Sequence, residues 1–166
     1  KLNLSVPKIS IEPGRAIVGP TTTTIYLVGT TKSVTLDDGS IRRYVSVDGG
    51  MSENIRPALY GATYSAFLAN RTSTAKSIST RVVGKHCESG DILISDIELP
   101  SDIKIGDLLA IPATGAYGRS MASNYNHIPR PSVIAVINGS AREILRRETE
   151  ADLLNLDVIQ APRQMS

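Results

Sequence analysis

Along most of the chain apolar and polar residues alternate with period two, the pattern of strands that bury one face of a sheet. Residues 21–36, TTTTIYLVGTTKSVTL, are rich in β-branched side chains and end at the turn-forming DDGS. Residues 42–50, RRYVSVDGG, return from it, so the two segments predict a hairpin. Further short strands are expected at ATYSAFLAN (62–70), SISTRVVGKH (77–86), DILISDIEL (91–99), DLLAIPATG (107–115) and SVIAVING (132–139). Clusters of Gly, Pro, Asn, Asp and Ser separate them at the spacing of an all-β domain, so the expected fold is mainly β, a Greek-key-like barrel or sandwich.

Helical signals are confined to two places. SENIRPALYG (52–61) offers Ser52 or Asn54 as caps for a single turn, and SAREILRRETEADLLNLD (140–157) fits either one helix or a strand followed by a helix from about Thr149. One or two short helices are therefore expected. The first residues, KLNLSVPKISIEPG, alternate as a strand and run into a Glu-Pro-Gly-Arg turn without an initiator methionine. This start predicts a piece of a larger enzyme, with residues 1–15 a strand and turn left from a junction and residues 16–166 a β domain.

Composition narrows the function. The 166 residues carry 18 Lys and Arg against 16 Asp and Glu, with 4% aromatics, which is neither a basic footprint for nucleic acid nor a base-stacking surface. No segment is long and apolar enough to suggest a membrane span. A lone cysteine excludes an internal disulfide framework and fits a reducing, cytoplasmic setting.

Four polar stretches stand out. EPGR (12–15) puts a carboxylate, a rigid proline, a glycine and a guanidinium in one turn, where free N–H groups suit a phosphate. VDGGMSENIRPALYG (47–61) delivers Arg56 and Tyr60 four residues apart, on one face if helical, as a guanidinium and a phenol able to bind a carboxylate. GKHCESGD (84–91) holds the only cysteine. His86, Cys87, Glu88 and Asp91 are metal-ligand types, but extended backbone turns the adjacent His86, Cys87 and Glu88 to opposite faces, so no metal site is expected, although Cys87 and one neighbour can still be delivered into a pocket supplied by other residues. PATGAYGRSMASNYN (112–126) surrounds Tyr117 with small residues, as where backbone and one phenol line a ligand. Each stretch alone is also compatible with an ordinary surface turn. The sequons at Asn70 and Asn138 are expected to be accidental.

In this order and spacing, the four stretches resemble the carboxy-terminal domain of the bacterial diaminopimelate decarboxylases, pyridoxal-phosphate enzymes that pair a (β/α)8 barrel with a β-rich second domain. The resemblance implies decarboxylation of meso-2,6-diaminopimelate to L-lysine, the last step of lysine biosynthesis. The Schiff-base lysine would lie on an amino-terminal barrel without counterpart here, so this chain alone is expected to be inactive. Glu12 matches the carboxylate on the pyridine nitrogen, Pro13, Gly14 and Arg15 the turn at the phosphate, and Tyr117 a phenol reaching cofactor and substrate. Cys87 matches the proton donor. Arg15, Arg56 and Tyr60 match the side of the pocket that reads the distal carboxylate of the substrate, and Glu88 the side that reads its ammonium. The resemblance further implies a homodimer in which the cysteine loop enters the partner's site. The rival expectations are a related decarboxylase of another amino acid, ornithine/arginine-like or carboxynorspermidine-like, and a noncatalytic interaction domain on the same fold.

Overall fold

The computed structural model describes residues 6–158. The expected hairpin forms from β1 (Thr23–Thr35) and β2 (Ile41–Val47), paired antiparallel with Val34 opposite Arg42. The turn between them is closed by Asp38, whose carboxylate accepts the N–H of Ser40 at 2.9 Å. Further along lie β3 (Phe67–Leu68), β4 (Ser77–Val83), β5 (Ile92–Pro100) and β6 (Leu108–Pro112). These six strands form one sheet in the order β3-β6-β1-β2-β4-β5.

The sheet curls into a half-barrel because β1 changes partners along its length. Its first part, Thr23–Leu27, pairs with β6, whereas Val28 onwards pairs with β2, and the register slips between Val28 and Thr31. Such a bulge bends a strand and raises its twist. All pairings in this sheet are antiparallel except β2 with β4, which run parallel. The concave face holds the core, where Val28, Val45, Val82, Leu93, Leu109 and Ile111 are almost fully buried. Burying each such side chain contributes about 1.5–3 kcal/mol.

β7 (Val133–Ile137) and β8 (Ser140–Leu145) form a separate antiparallel hairpin. The ambiguous carboxy-terminal segment is thus a strand followed by a helix, α4 (Glu150–Leu154), whose cap is Thr149 in a capping box with Asp152. The other helices are single turns: α1 (Arg15–Val18), α2 (Arg56–Tyr60) and α3 (Gly118–Met121). Short helices are therefore more numerous than expected, though each has only four or five residues.

Two local expectations are corrected. Residues 6–13 form no strand, because alternation without a ladder partner makes none, and Pro7 and Pro13 remove donors from it; residues 1–5 lie outside the described chain. Neither Ser52 nor Asn54 caps α2. Ile55 occupies that position without a side-chain bond, and both polar residues are buried beneath it.

Candidate active site

Two recesses open side by side on the surface. The first, about 360 Å³, is lined by Pro13, Gly14 and Arg15 on one side and by Gly115, Ala116 and Tyr117 on the other. The second, about 270 Å³, is lined by Arg56, Tyr60, Tyr117 and Met121. Tyr117 belongs to both. Three of the four stretches singled out in the sequence therefore converge at one phenol.

Local backbone explains how. Gly14 begins α1, with its carbonyl accepting the N–H of Ile17 at 3.0 Å, and the end of α1 packs on the segment after β6. Gly115 donates to the Gly19 carbonyl at 3.0 Å, and a Cβ on Gly115 would fall 2.1 Å from the carbonyl oxygen of Val18. Only glycine permits that approach. Two residues on, Tyr117 takes a left-handed φ of 67°, which is unusual for an aromatic residue and turns α3 away while leaving its ring half exposed.

On the other wall, Pro57 sits in the first turn of α2, where its missing N–H costs nothing, and Gly61 ends the helix in the left-handed conformation. The resulting turn stacks Arg56 against Tyr60. The guanidinium carbon lies 5.6 Å from the Tyr60 ring centre and 5.5 Å from that of Tyr117. A guanidinium held between two aromatic faces keeps its hydrogen-bonding edge for an anion, and a planar carboxylate matches that edge.

Cys87 and Glu88 lie elsewhere, in the loop between β4 and β5, and line neither recess. Both are exposed. The loop is nevertheless tightly fixed from beneath by the buried Asp91. Its carboxylate accepts the backbone N–H of His86 at 2.7 Å and that of Met51 at 2.6 Å. Gly50 and Gly84 make room for it, since a Cβ on either would lie 2.5 Å or 2.2 Å from a carboxylate oxygen. Lys85 also donates to the Gly49 carbonyl at 2.9 Å, which ties the cysteine loop to the Asp-Gly-Gly segment preceding α2.

Above the loop, the Tyr125 hydroxyl donates to Glu88 Oε1, the Asn126 amide nitrogen lies 3.8 Å from Cys87 Sγ, and the Tyr125 ring stands 5.4 Å from the His86 ring. The bond to Glu88 raises the pKa of the Tyr125 phenol, so it stays protonated as a donor. In the sequence Asp91 is noticed only as a metal-ligand type, and Tyr125 and Asn126 are not singled out. The glycines at 50 and 84 were the available signal for a buried group between them.

Glu12 is exposed and lines neither recess. Among the described residues no three His, Cys, Asp or Glu side chains gather as metal ligands, and no helix is long and apolar enough to cross a membrane.

Comparison with known proteins identifies the fold. The family model of the pyridoxal-dependent decarboxylase C-terminal sheet domain matches residues 19–115. The diaminopimelate decarboxylase of Corynebacterium efficiens is 56% identical over 158 residues, covering 95% of this chain and 34% of that protein. The diaminopimelate decarboxylase of Mycobacterium tuberculosis is 57% identical over 157 residues, covering 95% of this chain and 35% of that protein. The crystal structure of diaminopimelate decarboxylase from M. jannaschii in complex with L-lysine superposes with a TM-score of 0.81 at 33% identity, covering 90% of this chain and 32% of that one. The chain thus spans about a third of the length of the curated relatives it matches. With the sheet built by β1 to β6 falling within the family match over more than half its length, the chain belongs to the pyridoxal-dependent decarboxylases, as their C-terminal sheet domain.

Proposed function

We propose that this chain is the carboxy-terminal part of a pyridoxal-phosphate-dependent decarboxylase that converts meso-2,6-diaminopimelate to L-lysine and carbon dioxide. The observation that carries the reading is Arg56 stacked between Tyr60 and Tyr117 beside the glycine-walled recess. Diaminopimelate has an amino acid at each end, so its distal end needs a fixed cation for the carboxylate and an anion for the ammonium. Arg56, with Arg15 and Tyr60, supplies the first and Glu88 the second.

The first recess fits the cofactor in size and in kind. Its volume lies within the range of small-molecule sites, and its walls offer a glycine turn at Pro13 and Gly14, the Arg15 guanidinium and the Tyr117 phenol. Those residues would hold the phosphate and one edge of the ring, with Glu12 brought to the ring nitrogen by the neighbouring domain. When bound, pyridoxal phosphate accepts the electron pair released as carbon dioxide departs. The Schiff-base lysine belongs to an amino-terminal barrel that precedes this β domain.

Cys87 then donates its proton to the carbon that lost carbon dioxide. The S–H bond breaks, a C–H bond forms and the electron pair remains on sulfur. The loop serves the site of a partner subunit in a homodimer, a reading supported by the exposure of Cys87 and Glu88 away from both recesses of their own chain. Arg56 and Glu88, brought together across that interface, orient the substrate so that the reacting carbon meets the thiol. We read the enzyme as cytoplasmic; the lone cysteine of this chain and a biosynthetic reaction support that reading.

The test is carbon dioxide release by the full-length enzyme with pyridoxal phosphate on meso-diaminopimelate, ornithine and arginine. The proposal expects turnover of diaminopimelate to lysine and little of the others. Preference for ornithine or arginine would refute it.

A further inference from the structure

The segment Ser123–His127 plays no part in the account above, yet it meets three successive residues of the cysteine loop. Asn126 and His127 both adopt left-handed backbone, with φ of 54° and 55°. Asparagine tolerates that region better than most residues. The turn directs two neighbouring side chains the same way: Tyr125 bonds to Glu88 Oε1 while the Asn126 amide reaches Cys87 Sγ at 3.8 Å. The Tyr125 ring also packs near the buried imidazole of His86.

The segment is braced independently of the loop it faces. The Asn124 side chain donates to the Ile128 carbonyl at 3.1 Å and to Glu148 Oε2 at 2.6 Å, and the Ser123 N–H donates to the Ser52 carbonyl at 2.8 Å. Glu148 is itself paired with Arg130 at 2.7 Å. A strained turn held from behind in this way can impose a position on what it touches.

We propose that Asn126 and Tyr125 are positioning residues for the proton donor and the ammonium site, respectively. Resting on the role given to Cys87 and Glu88 above, the proposal adds how that pair is set. An amide N–H aimed at sulfur stabilises the thiolate that remains once the proton has left, and does less for the neutral thiol. It therefore favours the transfer step itself. Tyr125 occupies one oxygen of Glu88 and leaves Oε2 for an ammonium, in a fixed orientation.

Three variants of the full-length enzyme test this. Asn126→Gly deletes the amide but keeps a left-handed backbone without strain, Asn126→Ala deletes the amide and strains the turn, and Tyr125→Phe removes only the hydroxyl. For Asn126→Gly the expected result is a fall in kcat of about tenfold with KM within about twofold, as for losing a hydrogen bond to a charged group. In the alkylation profile of Cys87 with iodoacetamide at neutral pH, the rate should fall about tenfold, because the sulfur has lost a donor. Tyr125→Phe should instead raise KM about fivefold with kcat nearly unchanged.

Asn126→Gly with wild-type kcat and alkylation profile, alongside an impaired Asn126→Ala, would mean that the turn matters only for backbone shape and would overturn the Asn126 role. An unchanged KM in Tyr125→Phe would overturn the Tyr125 role. Cys87→Ala separates this from the underlying reading. If that variant turns over normally, Cys87 is not the proton donor, while the alkylation profile still decides whether Asn126 acts on its sulfur.

Discussion

The carboxylate of Asp91 accepts the backbone N–H of His86 at 2.7 Å and, through its other oxygen, that of Met51, joining the cysteine loop to the segment that leads into the Arg56 helix. The cysteine loop, proposed to serve the partner's site, and the segment before Arg56, proposed to serve the site of its own chain, are thereby fixed to each other. Asp91→Ala leaves two N–H groups without their acceptor, and each costs about 1–3 kcal/mol. Chemical denaturation should show a loss of about 2–6 kcal/mol if the two losses combine.

The glycines around Asp91 give a sharper version of that expectation. Gly84→Ala puts a methyl 2.2 Å from the Asp91 carboxylate and has to expel it, whereas Gly90→Ala meets nothing within 4 Å. The first substitution should destabilise by more than about 2 kcal/mol and the second by less than about 1 kcal/mol. Equal midpoints for the two variants would contradict the geometry.

A pH dependence follows from Glu148. The backbone N–H of Arg130 first, then the side chains of Asn124 and Arg130, hold its pKa down from 4.5 to about 2. A depressed carboxylate contributes stability that is fully present above its ordinary value and lost as pH falls through the lowered one. Hydrogen exchange in residues 122–130 should therefore be faster in Glu148→Gln than in wild type at neutral pH. The difference should narrow below pH 4.5 and vanish near pH 2. A difference that persists at pH 2 would show that the charge is not what braces the segment.

In the proposed function, specificity rests on Arg56. Lysine, the expected product, keeps the distal amino acid, while cadaverine has lost its carboxylate. Arg56→Ala should weaken lysine binding by about 2–5 kcal/mol, as for removing one member of a buried charge pair. Cadaverine should bind poorly to wild type and change little in the variant. Calorimetry on the full-length enzyme makes the comparison, and an equal loss for both ligands would mean that Arg56 does not read a carboxylate.

Much of this was legible from pattern alone. The β1–β2 hairpin was marked by β-branched alternation around Asp-Asp-Gly-Ser, and Thr149 offered a start for α4, although one helix from Ser140 fitted the pattern equally well. Alternation reports which side chains share a face and says nothing of which strands meet, so the parallel pairing of β2 with β4 was not readable. For the same reason ATYSAFLAN shrank to Phe67–Leu68, the part that pairs in register with β6.

The site divided in the same way. Residues whose chemistry is carried by the side chain, such as Arg56, Tyr117 and Cys87, stood out by type. Asp91 was visible only as a metal-ligand type and not as a buried acceptor, because its partners are backbone N–H groups that any sequence supplies. Tyr125 and Asn126 did not stand out, because their placement depends on two left-handed residues in succession.

The shared site is the centre of the account, and mixed dimers test it most directly. Full-length Cys87→Ala should lose about 10²–10⁴-fold in turnover, as for removal of a general acid. A second variant lacking the Schiff-base lysine, proposed to lie on an amino-terminal domain, should also be inactive. Dissociated, mixed in equal amounts and reassociated, the two should recover roughly a quarter of wild-type turnover of diaminopimelate, because half the dimers are mixed and each then holds one intact site. A mixture no more active than its parents, or Cys87→Ala subunits that turn over normally alone, would contradict the assignment of Cys87 to the partner's site.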